Sequence, residues 1–240
     1  MTSARPILRN VLACVVVLLL PALFITTSVR LAFTYLPLYL YGFEQYGAAE
    51  RTHITPSDLE QVGRDFIAFF NGDDPTLRIR ARVSGVERPL FSEREVAHMR
   101  DVHALVRDFF RWQTATLLAL GVYVVGGFAL MGRRFARELG WALFWGGALM
   151  LVLVGTFAAL VTVAFSQMFL LFHLLSFSND FWTLDPARDY LIMLFPAGFW
   201  FDSALALGVM IAAQAAVAAG AGVALTRAQK ARLRRWKAVG

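Results

Sequence analysis

The stretch that decides the fold is 140-GWALFWGGALMLVLVGTFAALVTVAFSQMFL-170, which contains no Asp, Glu, Lys or Arg. At 1.5 Å per residue, a helix of this length can cross the hydrocarbon core of a bilayer, which is about 30 Å thick. Three further apolar stretches lie at approximately 11–36, 113–132 and 203–226. Hydrophobic residues make up 58% of the 240 residues and charged residues only 17%, with a mean hydropathy of +0.57. This composition predicts an all-α membrane protein with four transmembrane helices.

Lysine and arginine outside the apolar stretches are concentrated in the head, in the connection between the second and third stretches, and in the tail. Eleven of the 23 basic residues lie there, with Glu138 as the only acid. Cytoplasmic segments carry an excess of Lys and Arg, so both termini are expected inside, with 37–112 and 171–202 outside. The net charge of +6 is then a topogenic and lipid-facing signal, and no nucleic-acid partner is expected.

These signals divide the chain into four parts. Residues 1–36 are expected to form transmembrane helix 1 with a cytoplasmic N-terminus, and 37–112 an extracytoplasmic cap between helices 1 and 2. Residues 113–226 are expected to form transmembrane helices 2 to 4, with an aromatic outer loop at 171–202. Residues 227–240 are a basic cytoplasmic tail.

The cap is expected to be a small α+β unit. Residues 37–56 are interpreted as the exit from the membrane followed by a loop. Ser57 with Glu60 three positions later is typical of a capping box, which predicts a helix that Asn71-Gly72 ends.

A short hairpin is predicted next in the cap. Residues 76–83 alternate between apolar side chains and arginine, which is typical of a strand with one polar face. Ser84-Gly85 supplies a turn, and a second extended stretch follows at 86–90. The cap therefore combines helix and strand within about 70 residues, a size that is marginal for independent folding.

His98 and His173 are the main candidates for chemistry. Ser92 and Glu95 form a second capping box, and the helix that begins there runs towards the second span, so His98 lies above that span. His173 lies at the outer end of the third span, which puts both imidazoles at the same membrane face. Neutral imidazole can accept and return a proton near pH 7. The alternative interpretation is that both are interfacial histidines satisfied by backbone or water.

Carboxylates near the two histidines are the candidate supporting groups. Glu95 and Asp101 share a helix face with the first histidine. Asp180 or Asp185 is expected to orient the second histidine from the outer loop. Asp185 is followed by Pro186, which also predicts the N-terminus of a short interfacial helix.

Aromatic and basic residues at the outer face are candidates for contact with substrate or lipid. Phe172, Phe177 and Trp182 flank the second histidine in an unusually aromatic loop. Tyr41 belongs to a group of rings with polar edges, which favour the headgroup level. Arg30, near the outer end of span 1, can snorkel or hold a lipid headgroup.

No metal site and no cofactor are expected. The chain has four histidines and one cysteine, and it has no His-Glu-x-x-His run. His53 and His103 are weaker candidates. His103 is five positions past His98 and therefore lies on a different face of that helix. Gly126-Gly127 and Gly146-Gly147 lie inside spans and indicate helix packing or flexibility rather than a phosphate loop. The spans carry almost no ionisable residues at mid-depth, which argues against an ion-coupled transporter.

Two motifs give the chain a resemblance to a known family, and the order of one span, a cap and three further spans agrees with it. The chain resembles the Lit-type lipoprotein intramolecular transacylases, polytopic bacterial membrane proteins, over nearly its whole length. The motifs are the segment 95-EVAHMRDV-102 and the outer-loop pattern Phe172-His173, Asp180-x-Trp182, Asp185-Pro186, Leu191-Ile192 and Phe195-Pro196.

The resemblance implies an activity and a location. The enzyme would move the sn-2 acyl chain of a diacylglyceryl-cysteine lipoprotein to the lipoprotein's own N-terminal α-amino group, giving a lyso-form lipoprotein. The family's two catalytic histidines match His98 and His173. The substrate is then a diacylglyceryl lipoprotein in contact with membrane lipid, in the bacterial plasma membrane, and no cofactor is needed.

Two other functions remain open from the residues themselves. Another lipid acyl transferase or hydrolase could use the same histidine pair. Alternatively, the chain could be a non-enzymatic membrane protein whose cap binds a lipid or protein partner. Replacement of either histidine separates these possibilities, because a structural histidine would affect stability and a catalytic one would affect turnover.

Overall fold

The computed structural model describes residues 4–237; residues 1–3 and 238–240, in the predicted head and tail, lie outside the described residues. The described chain is mostly helical, with one two-stranded antiparallel sheet and a 3₁₀ turn at Gly132–Arg134. In chain order the elements are α1 (Ala4–Thr34), α2 (Leu36–Gln45), α3 (Ala48–Thr52), α4 (Pro56–Asn71), β1 (Arg80–Val83), β2 (Val86–Pro89), α5 (Glu93–Met131), α6 (Phe135–Ser176), α7 (Tyr190–Leu194) and α8 (Ala197–Lys237).

Three helical stretches among the described residues are long and apolar enough to cross a membrane: Val11–Thr34, Glu93–Ser176 and Ala197–Ala231. The second contains α5, the 3₁₀ turn and α6, with the apolar stretches 113–132 and 140–170 on either side of the turn. The part of α5 before these stretches is rich in charged side chains and lies outside them. The chain is thus a multi-pass helical membrane protein with a small sheet.

Contacts divide the described chain into two compact units. One is built from Met1–Ser28, Arg111–Ala158 and Gly208–Gly240, within the limits of the described residues. The other is built from Val29–Phe110 and Ala159–Leu207. Both candidate histidines belong to this second unit, so their surroundings can be described within it.

The first unit is a helical assembly in which glycines allow close contacts. A Cβ added to Gly146 would lie 2.5 Å from the side chain of Leu20 on α1, and one added to Gly147 would lie 2.5 Å from the carbonyl oxygen of Ala215 on α8. The expected packing role of this glycine pair is confirmed. The buried core of the unit consists of Val16, Leu20, Phe24, Ala142, Met150, Val154, Ile211, Ala215 and Ala218.

Residues 37–56 are largely helical in the structure, and the predicted loop was wrong. Pro37 lies in the first turn of α2, where a proline is pre-organised for the helix and its missing N–H costs nothing. Tyr39 and Phe43, four positions apart, are both buried. The two rings therefore pack in the core of the second unit. Aromatic residues with polar edges also occur as membrane-interface anchors, so the sequence pattern fits both roles.

The N-cap of the helix after this region lies two residues earlier than predicted. Thr55 is its N-cap, and the Thr55 hydroxyl accepts a hydrogen bond from the Asp58 amide at 3.2 Å, so Ser57 lies inside α4. The predicted end at Asn71 is confirmed. The apolar face of α4 forms the centre of the buried core of the second unit, which consists of Tyr39, Phe43, Ala48, Ile54, Leu59, Val62, Phe66, Phe69, Phe70, Leu77, Ile79, Ala81, Val83, Leu90, Met99, Val106, Phe110, Leu191, Leu194, Phe195 and Phe199.

The predicted hairpin is present but shorter. Its turn is at Ser84-Gly85, where both residues have positive φ, 50° and 83°, as a tight two-residue hairpin turn requires. Strand β1 covers only Arg80–Val83, with alternate residues buried and exposed as the sequence predicts. The strand pairing ends at Arg80 and Pro89, although the Ile79 carbonyl still accepts a hydrogen bond from the Leu90 amide at 3.0 Å.

Candidate active site

The N-terminus of α5 is fixed by the predicted capping box. The Ser92 amide donates to Oε2 of Glu95 at 2.7 Å, and the Ser92 hydroxyl accepts from the Glu95 amide at 3.4 Å. The Glu95 side chain is 1% exposed, and its second oxygen, Oε1, accepts from the Leu191 amide at 2.7 Å. One buried carboxylate therefore connects the start of α5 to α7. Burial raises the pKa of Glu95, while the donated hydrogen bonds oppose that rise.

His98 lies one helical turn after Glu95, in the charged part of α5 that precedes the apolar stretch. It is 7% exposed, and its Nδ1 is buried with no hydrogen-bond partner among the described residues. Burial, and to a smaller extent the neighbouring His173, lowers the pKa of His98 to about 4, and Asp101 opposes the shift. The imidazole is therefore neutral at pH 7. An unpaired polar atom in a buried ring is costly, so Nδ1 is a group that a bound substrate can satisfy.

His173 lies near the end of α6 and is equally buried. Its Nδ1 is 2.7 Å from the carbonyl oxygen of Phe169, one turn earlier in the same helix. Because a carbonyl oxygen only accepts, Nδ1 must carry the proton. In the neutral ring Nε2 then holds the lone pair and is the atom able to accept a proton.

The structure brings the two imidazoles together. The ring centroids of His98 and His173 are 6.2 Å apart, with an interplanar angle of 31°. The Phe177 ring contacts both, at 5.1 Å from the first and 5.7 Å from the second. One bound substrate group between the rings can therefore contact both histidines.

Aromatic rings surround the second imidazole. The ring of His173 lies 4.4 Å from Phe169, 5.3 Å from Phe172 and 5.0 Å from Trp182, measured between centroids. Phe172, Phe177 and Trp182 were expected from the sequence. Phe169 was not, since it lies within the long apolar stretch and carries no feature that distinguishes it there. The surroundings exclude water and favour neutral forms.

Asp180 and Asp185 do not orient His173, and this part of the prediction was wrong. Asp180 is exposed, and its Oδ2 lies 3.4 Å from the Arg94 guanidinium. Asp185 accepts from the Ala187 amide at 2.9 Å and so closes its own turn. The orienting acceptor is a backbone carbonyl of α6, which was within reach because α6 continues past residue 170 to Ser176.

The short helix in the outer loop also begins later than predicted. Asp185-Pro186 starts a turn rather than a helix, and α7 covers only Tyr190–Leu194 with Asp189 as its N-cap residue. The amides of the turn are bonded within it, since the Asp185 amide donates to Oδ2 of Asp189 at 2.7 Å. The Asp185 side chain, which was predicted to cap a helix, therefore stabilises a local turn instead.

Asn179 is a residue that the sequence did not single out. Its Nδ2 donates to Oδ2 of Asp101 at 2.8 Å, and its Oδ1 accepts from the Phe181 amide at 3.1 Å. Its backbone carbonyl accepts from the indole Nε1 of Trp182 at 2.9 Å. The only available signal was the turn composition of Ser178-Asn179-Asp180, which marks a loop and gives no partner.

The remaining candidates have partners of other kinds. The Arg30 guanidinium lies 4.7 Å above the Phe110 ring, a cation–π geometry. The hydroxyls of Tyr41 and Tyr46 both donate to Oδ2 of Asp202, at 2.8 and 2.6 Å. The hydrogen bond to Asp202, together with desolvation and the nearby negative charge, raises the pKa of Tyr46 to about 12.

The two weaker candidates, His53 and His103, are not part of the histidine pair. His103 is buried, and its Nε2 lies 3.0 Å from the Gly72 carbonyl, so it is a satisfied core histidine on another face of α5. His53 is exposed and has a left-handed backbone conformation. Among the described residues, no three or more His, Cys, Asp or Glu side chains are grouped so that they could hold a metal ion.

The fold and the site together define a class: multi-pass helical membrane proteins in which two buried histidines face each other under an aromatic loop. The family model described as lipoprotein intramolecular transacylase Lit matches residues 14–200. The chain belongs to this family, and it is therefore a membrane acyltransferase. The non-enzymatic interpretation is set aside. No curated protein matches the sequence in a direct comparison.

Solved structures agree with this fold. The in meso structure of Lit from Bacillus cereus has a TM-score of 0.79 at 19% identity, covering 93% of this chain and 98% of that one. Two variants of the same protein, with histidine replaced by arginine or by alanine, each have a TM-score of 0.74 at 17% identity. The arginine variant covers 95% of this chain and 96% of its own, and the alanine variant 94% and 97%.

Proposed function

We propose that this enzyme moves the sn-2 acyl chain of a diacylglyceryl-cysteine lipoprotein onto the same molecule's N-terminal α-amino group, giving a lyso-form lipoprotein. Family membership supports the class of reaction. The observation in this chain that carries the proposal is the pair of buried imidazoles with centroids 6.2 Å apart, one of which has an unpaired Nδ1.

The chemistry needs proximity and proton movement only. The amine nitrogen forms a bond to the ester carbonyl carbon, the bond from that carbon to the glyceryl oxygen breaks, and one proton passes from nitrogen to that oxygen. The attack closes an eight-membered ring, which forms poorly in solution. A site that folds the substrate back on itself supplies the missing proximity. No electrons are transferred, so no cofactor is required.

The two histidines take different roles in the proposal. His173 accepts the amine proton through Nε2, because its Nδ1 is already committed to the Phe169 carbonyl. It then returns that proton to the leaving glyceryl oxygen. His98, neutral and desolvated, hydrogen-bonds the oxygen on which negative charge develops. Its buried Nδ1 gains a partner only when the substrate is bound, which favours a role in the reaction.

The other candidate residues act around this pair. Phe172, Phe177 and Trp182 exclude water and so disfavour hydrolysis of the ester. Glu95 and Asp101 hold the histidine-bearing part of α5.

Residues at the rim and the arrangement in the membrane complete the proposal. Arg30 and Tyr41 meet lipid or substrate headgroups at the outer face. The chain crosses the membrane four times with the cap outside and both termini inside, which the placement of the basic residues supports.

A bacterial host that lacks other N-acylating activity tests the proposal. The chain is expressed with a reporter lipoprotein, and the N-terminal lipopeptide is analysed by tandem mass spectrometry. Because substrate and product are isomers, fragmentation rather than intact mass must locate the acyl chain on nitrogen. The wild-type protein is expected to yield the N-acyl, lyso-glyceryl form.

Replacement of either histidine is the decisive comparison. His98→Gln and His173→Gln are each expected to lower product formation by roughly 100-fold or more, the usual contribution of a positioned acid or base. His53→Asn is the control, because His53 is exposed and asparagine tolerates its left-handed backbone. Full activity in both Gln variants, with normal protein levels, would contradict the mechanism.

A further inference from the structure

Asn179 connects the two segments that carry the histidines. Through Nδ2 it holds Asp101, which lies one turn after His98 on α5. Through its backbone carbonyl it holds the indole of Trp182, whose ring lies 5.0 Å from that of His173. A short chain of contacts therefore runs from one imidazole to the other through a single asparagine.

One neighbouring contact also joins α5 to this turn, but it lies at the exposed surface: the Arg94 guanidinium donates to the Asp180 carbonyl oxygen at 2.6 Å. Asp180 is exposed and faces Arg94, and Asp185 is used within its own turn. At the start of α5, the Glu95 carboxylate is bonded to α7 and not to the turn that directly follows α6. The Asn179–Asp101 hydrogen bond is thus the partly buried side-chain link between α5 and the turn that follows α6, and it lies one helical turn from His98.

We propose that Asn179 is a positioning residue for the transacylation. It sets the spacing of the two imidazoles and holds Trp182 against His173, so that the activated ester meets the amine and not water. The inference rests on the proposed function, which it deepens by adding a residue that controls the choice between acyl transfer and hydrolysis.

The amide side chain is required for chemical reasons. Asn179 donates to a carboxylate with one atom and accepts a backbone amide with the other. Aspartate at this position keeps the acceptor but loses the donor, and it would place two carboxylates against each other. Such a pair is destabilising, so the turn would move away from α5. Reversing the polarity of the pair restores a donor and an acceptor.

The test uses the full chain in membranes or detergent with a diacylglyceryl lipopeptide substrate. Asn179→Asp is expected to reduce N-acyl product by roughly tenfold or more, since small displacements of reacting groups have effects of this size. The ratio of released fatty acid to N-acyl product is expected to rise. The double variant Asn179→Asp with Asp101→Asn is expected to recover both measures. Asn71→Asp, an exposed amide on α4 bonded only within its own helix through its side chain, is the matched control.

The product ratio does not depend on how much of the enzyme is folded, so a general loss of stability cannot produce the expected result. If Asn179→Asp transfers and hydrolyses in the wild-type ratio, or if the double variant folds but recovers neither measure, the inference is overturned. If the wild-type enzyme forms no N-acyl product, the proposed function fails instead, and the two failures are distinguishable.

Discussion

The carboxylate of Glu95 offers a direct test of how the site is held. Its two oxygens accept from two backbone amides, those of Leu191 and Ser92, both at 2.7 Å, and the side chain is 1% exposed. Glu95→Gln keeps the shape but turns one oxygen into an NH₂ group, which cannot accept. One buried amide therefore loses its partner.

The expected cost follows from the hydrogen bond that is lost. A hydrogen bond to a charged group contributes about 1.5–3 kcal/mol. Burial raises the pKa of Glu95, which shows that part of the gain is offset by desolvation of the carboxylate. We therefore expect Glu95→Gln to lower the free energy of unfolding by about 2 kcal/mol. For a chain of this size that corresponds to roughly 4–8 °C in the melting midpoint. Glu95→Ala, which loses both hydrogen bonds, should cost roughly twice as much.

Thermal unfolding of the purified protein in detergent, followed by near-ultraviolet circular dichroism, measures this change. Glu93→Gln is the matched control, because Glu93 lies in the same helical turn, undergoes the same chemical change and is exposed. An exposed substitution of this kind should shift stability by less than about 0.5 kcal/mol. If Glu95→Gln melts at the same temperature as Glu93→Gln, the buried carboxylate does not hold α5 to α7.

Three further outcomes are expected. As the pH falls from 6.5 to 4, the unfolded chain takes up a proton that the buried His98, with a pKa of about 4, does not. Stability should therefore fall by about 3 kcal/mol over this range from this residue, and His98→Gln should remove that part of the slope in pH-dependent melting, whereas His53→Asn should keep it. Gly198→Ala should lower the melting midpoint, because its Cβ would overlap the Tyr46 ring; a wild-type midpoint would show that the ring moves freely. Gly121→Ala, with nothing within 4 Å of the added carbon, should leave the midpoint unchanged or raise it.

Local signals in the sequence predicted where α5 begins and which of its faces carries His98. The spacing of Ser92 and Glu95 fixes where α5 begins, and the helical period then sets the position of His98 on the same face as Glu95. Hydropathy located His173 at the end of an apolar helix. These are short-range or topological properties, which depend on few other residues and so can be inferred from one sequence.

The hydrogen bonds of His173 and Asn179 depend on tertiary contacts that short-range sequence patterns do not encode. A histidine four residues after Phe169 can bond to that carbonyl only if its rotamer is held, which the surrounding rings decide. Similarly, a turn residue such as Asn179 can face solvent or a partner 78 positions earlier in the chain, and its composition is the same in both cases. The loop predicted for residues 37–56 was wrong for a related reason, because aromatic residues with polar edges suit both a membrane interface and a helix core.

The surroundings of the histidines serve two requirements of acyl transfer that conflict. Water must be excluded, since it competes with the amine for the ester, and the aromatic rings packed around the buried His173 imidazole do this. The same burial lowers the pKa of His173, which the proposed mechanism uses as the base, and so weakens that base. A weaker base is tolerable when amine and ester are held together, because effective molarities of roughly 10⁵ M or more can lower the barrier more than ideal basicity would. The residues that hold α5 against the outer loop should therefore matter to turnover as much as the imidazoles do.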